Sequence, residues 1–245
     1  EIVAIKAMDK SRVTQKDLEG LRAEIAILKL LVHPCVIHMR HIFESERYIY
    51  IVMDLHPAGD LGHKLLAVNQ FPQSICRSVC HKLLETLQYL HQRGIVHRDI
   101  KPENIMLKDP NDFTQIVLID FGLSKFAIPN EKMAETIGTI DYLAPEIFSK
   151  NYGFAVDNWA LGVLLYAMLS GLLPFWGETL QAQRRSIETQ DPDFSAPEWK
   201  GISNDAIDLI KGLLQKDPKK RLTIDEALKH RWFMEPVPQQ QKSVV

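Results

Sequence analysis

The chain has 245 residues, 46% of them hydrophobic, enough for one large domain or two lobes with real cores. Its 29 basic and 31 acidic residues leave a net charge of −2, and the short basic clusters Lys216–Arg221 and Gln183–Arg185 make no nucleic-acid footprint. Three cysteines without a CxxC pair exclude a disulfide framework and fit a reducing compartment, so a cytoplasmic location is expected, with the nucleus as the alternative.

Ile2, Val3 and Ile5 are β-branched, so Glu1–Met8 is expected as a strand. Thr14 can cap a helix in which Leu18, Leu21, Ile25 and Leu28 recur at helical spacing, with Lys16, Asp17, Glu19 and Arg22 largely off that stripe. His33-Pro34 ends it. Val36–Phe43 and Tyr48–Leu55 form two expected strands across the polar turn Glu44–Arg47, and the loop His56–Gly59 divides a domain 1–55 from a domain 56–235. The pattern then turns helical. Gln73–Gln92 places Ile75, Val79, Leu83, Leu84, Leu87 and Leu90 inward. Cys76 and Cys80 share a face there; buried thiols are expected, rather than a metal site with His81 or His91. Short strands follow around Ile105–Leu107 and Ile116–Ile119. Trp159–Trp176 carries no charge, but Ser170, Gly171 and Pro174 interrupt it, so a core helix Val156–Leu169 is expected instead of a membrane span. Further helices are expected at about 178–189, Asn204–Leu214 and Ile224–His230, the last with a Thr223/Glu226 capping box. The tail 236–245 is expected to be disordered. The fold class is therefore α+β, a small β-rich lobe followed by a larger, mainly helical one.

The chemistry concentrates in Ile95-Val96-His97-Arg98-Asp99-Ile100-Lys101-Pro102-Glu103-Asn104, which packs a carboxylate, two cations and an amide into one short stretch. Asp120-Phe121-Gly122 adds a second carboxylate on a Gly-containing turn after the apolar run Ile116–Ile119, and Ala144-Pro145-Glu146 lies beyond. A hydroxyl acceptor, a phosphate clamp and oxygen donors for a hard metal are what phosphoryl transfer from a nucleotide needs.

Taken with Val3-Ala4-Ile5-Lys6 and Glu24, these segments resemble the eukaryotic protein kinase catalytic domain in order and spacing, from Glu1 to about Phe233. Lys101-Pro102-Glu103-Asn104 is similar to the serine/threonine type. Glu24–Leu28, Asp120–Lys125 and Asp157–Leu161 look most like the calcium/calmodulin-regulated and calcium-dependent group. The resemblance implies a bilobal fold with an ATP cleft between the lobes. In it, Lys6 would hold phosphates and Glu24 would orient Lys6; Asp99 would be the base and Lys101 a neutralising cation; Asn104 and Asp120 would bind Mg²⁺. Ala4 and Met106 would sandwich the adenine, Asp54 C=O and His56 N–H would be hinge contacts, and Met53 would stand beside them. Phe121 would pack on His97 and Leu28. Glu146 would pair with Arg221, and Asp157 would hold the loop around Asp99.

By the same resemblance Lys125–Thr139 is the activation segment, with Arg98 as its cationic anchor. Where many kinases carry a phosphorylated Thr or Ser, this chain has Glu135, followed by Thr136. Either Glu135 partly stands in for the phosphate or Thr136 is the acceptor. Asp60 and Glu103, with Asp141 close by, would favour a basic residue upstream of the target Ser/Thr, and Ile140 and Leu143 an apolar residue after it. One departure is plain: no GxGxxG occurs, the chain starts at the Lys-bearing strand, and missing upstream residues are expected. That keeps a binding-only pseudokinase scaffold open as an alternative. An unrelated metal hydrolase built on Asp99 and Asp120 would leave Lys6, Glu24 and Ala144–Glu146 unexplained. The partners implied are ATP and protein substrates, without nucleic acid or membrane. A regulatory partner such as calmodulin would act through segments beyond Val245, since no EF-hand loop pattern occurs.

Overall fold

The computed structural model describes residues 2–127 and 132–234. The expected strand start at Glu1, positions 128–131 of the expected activation segment and the expected disordered tail 236–245 lie outside the described residues.

The first part is an antiparallel sheet of β1 (Val3–Asp9), β2 (Met39–Glu44) and β3 (Tyr48–Asp54) in the order β1-β3-β2, with α1 (Gln15–Leu30) packed on it. Register pairs Lys6 with Ile51 and Ala4 with Met53. Leu21, Ile49 and Ile51 form the small core between helix and sheet. The first turn of α1 has a full capping box: Asp17 N–H donates to Thr14 Oγ1 at 3.2 Å, and Thr14 N–H donates to the Asp17 carboxylate at 2.8 Å. α1 buries Glu24 together with Leu21, Ile27 and Leu28, so a carboxylate sits on its core-facing side. Gly20 lies mid-helix, and a Cβ there would meet nothing within 4 Å. Gly20→Ala should therefore stabilise the domain by about 0.5–1 kcal/mol through helix propensity; urea unfolding of the two forms checks this, and an unchanged midpoint would contradict it.

The first three strands differ from expectation: β1 starts at Val3 and runs one residue past Met8. β2 begins at Met39, because Val36 leaves the sheet to bridge Leu118 of the second part and Ile37 N–H donates to Leu118 C=O at 3.0 Å. That segment stitches the two parts together just after the end of α1, with Leu118 N–H donating back to Cys35 C=O at 2.9 Å. β3 ends at Asp54, one residue short.

The second part is built on α2 (Leu61–Val68), α3 (Gln73–His91), α4 (Pro145–Phe148), α5 (Ala155–Ser170), α6 (Leu180–Thr189), α7 (Asn204–Leu213) and α8 (Ile224–Leu228), with short strands β4 (Ile95–Val96), β5 (Ile105–Asp109), β6 (Asp112–Leu118) and β7 (Lys125–Phe126). α2 was not expected; it starts because the Asp60 carboxylate caps it, accepting from His63 N–H at 2.9 Å. α5 is apolar all round and buried from Val156 to Ser170, as a central core helix must be. It stops at Gly171, φ +73°, where a Cβ would lie 2.4 Å from Asn69 C=O. No helix among the described residues is long and apolar enough to cross a membrane. Cys76 and Cys80 are fully buried free thiols, and burial pushes both well up from the ordinary thiol value. The Thr223/Glu226 capping box forms, and α8 ends two residues before His230.

The β5–β6 hairpin places the chemistry. Ile105 pairs with Leu118, and Ile119 N–H donates to Asn104 C=O at 2.9 Å, so Asn104 and Asp120 emerge at the same end of the hairpin.

Candidate active site

A cleft of about 320 Å³ opens between the two parts, lined by Ala4, Lys6, Glu24, Met53, Asp54, His56, Met106 and Asp120, with Leu28, Ile37, Leu55, Ile119 and Phe121 supplying apolar wall. The six residues expected around a base and its phosphates, Ala4, Lys6, Met53, Asp54, His56 and Met106, all reach it. Strand pairing explains this: Ala4 and Lys6 lie on β1, Met53 opposite Ala4 on β3, and Met106 on β5 bridges Asp60 at the entry to α2.

At the inner end Lys6 Nζ holds both oxygens of Glu24, at 2.7 and 2.8 Å. Glu24 is 4% exposed, so this partner is fixed, while Lys6 Nζ also lies 3.7 Å from Asp120 Oδ1. Behind Asp120, Phe121 stands edge-on to His97 with ring centroids 4.9 Å apart, and both rings are buried. Burial pushes the His97 imidazole down, and its Nε2 lies 3.2 Å from Ile119 C=O.

The loop 97–104 is held from below by Asp157. That carboxylate has no exposure; it accepts from His97 N–H at 2.9 Å and Arg98 N–H at 2.8 Å, and His91 Nε2 lies 2.8 Å away. Burial acts to raise it, but the His91 bond and the loop groups outweigh this and hold it below the ordinary carboxylate value. Arg98, φ +69°, and Asp120, φ +57°, are non-glycine residues in the left-handed region, a strain of order 1–3 kcal/mol each that the surrounding bonds must offset.

Asp99 is the hub. Its carboxylate takes Lys101 Nζ and Asn104 Nδ2 at 2.8 Å each on one oxygen and the Thr139 hydroxyl at 3.1 Å on the other. Burial works against ionisation, but the Lys101 bond leads the contacts that keep Asp99 below the ordinary value, so it is charged at neutral pH. Lys101 Nζ also donates to Thr139 Oγ1 at 2.9 Å, closing a ring of three side chains. Asn104 Nδ2 further donates to Asp99 C=O at 2.8 Å. A planar amide so engaged turns its oxygen away from Asp99. That oxygen and the half-exposed Asp120 carboxylate are hard donors that fit Mg²⁺, which needs few protein ligands when phosphate oxygens and water complete its shell. Among the described residues no group of three or more His, Cys, Asp or Glu could cage a metal alone.

The expected regulatory and substrate residues fall as follows. Glu135 bridges Arg98 Nη1 at 2.8 Å and Lys125 Nζ at 2.9 Å, and the Lys125 bond chiefly lowers its carboxyl below the ordinary value. Thr136 is exposed. Asp60 and Glu103 come together around Gly62, where a Cβ would lie 3.1 Å from Asp60 Oδ1 and 3.3 Å from Glu103 Cγ. Asp60 is also committed to His63, whose Nδ1 lies 2.6 Å from Oδ2. Ile140 is half-buried in a short 3₁₀ turn, and Leu143 is buried beneath Gly138. Asp141 accepts from Gln183 of α6. Glu146 and Arg221 form a buried fork at 2.6 and 2.9 Å.

Sequence reasoning missed three contributors. Thr139 entered only as the end of a segment, although its hydroxyl joins Lys101 to Asp99. Buried Ser124 donates to His97 C=O at 3.3 Å, and Tyr152 reaches Glu135. A lone hydroxyl in a loop gives no periodic signal; only the position of Thr139 directly after Gly138 marked it out.

The cleft gathers the residues that the kinase resemblance groups, and comparison with known proteins shows the family. The protein kinase domain family model matches residues 1–233, and the chain belongs to that family. It is 36% identical over 236 residues to calcium-dependent protein kinase 7 of Arabidopsis thaliana, covering 96% of this chain and 44% of that protein. Calcium-dependent protein kinase 16 of Oryza sativa subsp. japonica is 36% identical, with 95% and 43% covered, and calcium-dependent protein kinase 8 of Arabidopsis thaliana is 37% identical, with 95% and 44% covered. The chain thus spans less than half the length of these curated relatives.

Proposed function

We propose that this chain is the catalytic domain of an ATP-dependent serine/threonine protein kinase. The observation that carries the reading is that the Lys6–Glu24 pair and Asp120 line one cleft, while the Asp99–Lys101–Asn104 cluster is carried next to Asp120 by the β5–β6 hairpin, where Ile119 N–H donates to Asn104 C=O at 2.9 Å. In it Lys6 holds the nucleotide phosphates and buried Glu24 fixes its orientation. Asp99, ionised, accepts or orients the proton of the substrate hydroxyl, and Lys101 offsets charge on the transferring group. Asn104 and Asp120 are the residues that would hold Mg²⁺, which when bound neutralises phosphate oxygens. Positioning and electrostatics carry most of the work in such a reaction, and five of these six side chains, Lys6, Glu24, Asp99, Lys101 and Asn104, are held by hydrogen bonds to one another. A binding-only scaffold has no chemical need for all of them.

Three finer assignments belong to this reading. Glu135 takes part of the role of a loop phosphate, bridging Arg98 and Lys125 with one charge where phosphate brings nearly two. Glu103 and Asp60 favour a basic residue upstream of the target hydroxyl, with Glu103 the freer of the two because Asp60 caps α2. The lobes divide near residue 55, and likeness to relatives named calcium-dependent kinases supports a calcium-linked regulatory partner such as calmodulin for the whole protein.

One assay tests the reading. The full-length protein, treated with phosphatase, should transfer the γ-phosphoryl group of ATP to Ser/Thr peptides, and better to those with an upstream Arg. Absence of transfer before and after treatment would overturn the kinase reading. Activity abolished by the phosphatase would overturn the Glu135 assignment, and indifference to Arg would overturn the groove assignment.

A further inference from the structure

The segment that carries Glu135 is fastened from a second direction. Tyr152, in the loop between α4 and α5, is 1% exposed. Its backbone forms a two-bond antiparallel bridge to Met133: Met133 N–H donates to Tyr152 C=O at 3.1 Å, and Tyr152 N–H donates to Met133 C=O at 3.3 Å. Its hydroxyl donates to Glu135 C=O at 2.8 Å and accepts from Arg98 Nη1 at 3.2 Å. The same Arg98 nitrogen donates to Glu135 Oε2 at 2.8 Å, while Arg98 Nε is tied to Leu123 C=O at 2.6 Å. Arg98, Glu135 and Tyr152 therefore close a ring that joins the loop preceding Asp99 to the segment preceding Thr139.

The two anchors of that ring differ in kind. The Glu135 carboxylate is 44% exposed, and an ion pair so open to water and salt holds weakly. The Tyr152 hydroxyl is enclosed and satisfied as donor and acceptor at once, so its loss strands a backbone carbonyl. Burial also pushes the Tyr152 phenol up, which keeps it protonated and able to donate.

We propose that Tyr152 is a positioning residue for phosphoryl transfer: its uncharged hydroxyl clamps the Glu135 backbone against Arg98, and so holds Thr139 at the Asp99–Lys101 pair without loop phosphate. This rests on the kinase reading above. The ring lies outside the nucleotide cleft, so nucleotide binding is not its business.

The test is Tyr152→Phe in the phosphatase-treated full-length protein, since Phe keeps the aromatic side chain and the backbone bridge to Met133 but lacks the hydroxyl. The expected result is a fall in kcat/KM for peptide of about tenfold with KM for ATP unchanged. Amide hydrogen exchange should quicken over residues 132–139 and stay at the wild-type rate over β1 and β5. Tyr152→Ala should show the same pattern, larger. Wild-type protection over 132–139 together with wild-type kcat/KM would overturn the proposal, as would exchange quickened uniformly across the domain. If the wild-type protein transfers no phosphoryl group, the kinase reading falls, and local loss of protection over 132–139 in Tyr152→Phe still decides whether the clamp exists.

Discussion

Asp99→Asn should lower turnover by roughly 10²-fold or more while leaving the fold and nucleotide affinity close to wild type. The asparagine is nearly isosteric, but it cannot take a proton and cannot offset Lys101. The two oxygens of Asp99 receive only donors, from Lys101, Asn104 and Thr139, so the new amide nitrogen must face at least one of them. Asp99 does not line the cleft that Ala4, Met53 and Met106 form, which is why nucleotide binding should persist. Steady-state transfer from labelled ATP, beside a direct nucleotide-binding measurement, checks both halves. A turnover equal to wild type would remove Asp99 from the role given to it.

Arg221→Ala should cost the domain about 3–5 kcal/mol, because it leaves the Glu146 carboxylate buried without its cation. For a chain of this size that is a fall in Tm of roughly 10 °C. The Arg221 side chain has no exposure and Glu146 has 8%. The guanidinium also donates to Ala155 C=O at 2.8 Å and Gln215 C=O at 3.0 Å, and it lies 5.0 Å from the Trp159 ring centroid. Arg221→Lys keeps the charge but loses the fork and the stacking plane, so it should recover only part of the loss. Replacing both partners by apolar residues of similar volume should do better than Arg221→Ala, since no charge is then stranded. Thermal unfolding monitored by calorimetry distinguishes these. A fall of less than about 2 °C for Arg221→Ala would show that the pair is not a structural tie.

Some of this was open to reading from the chain alone. The long helices fall where their patterns put them, for two reasons: Gln15–Leu30 and Gln73–His91 carry apolar stripes that fix period and phase, and Ala155–Ser170 is so apolar all round that only the core can hold it. The short elements were less legible. α2 depends on one capping carboxylate, and β2 starts three residues later than the apolar run at Val36 suggests because Val36 and Ile37, as apolar as strand residues, are spent on joining the two parts. Asp60 carries a task that its residue type did not announce: one oxygen caps α2 by accepting from His63 N–H, and the other lies 2.6 Å from His63 Nδ1.

Sequence by itself determined which chemical groups exist and that they stand in the order and spacing of the kinase family, since motif spacing is a property of the chain. Tertiary structure alone decided which hydroxyls serve them. Thr139 reaches Asp99 across 40 positions and Tyr152 reaches Glu135 across 17, distances at which no local pattern constrains the partner. A side-chain hydrogen bond depends on where two backbones are carried by the packing of α1, α5 and the β5–β6 hairpin, and that packing is a sum over the whole core.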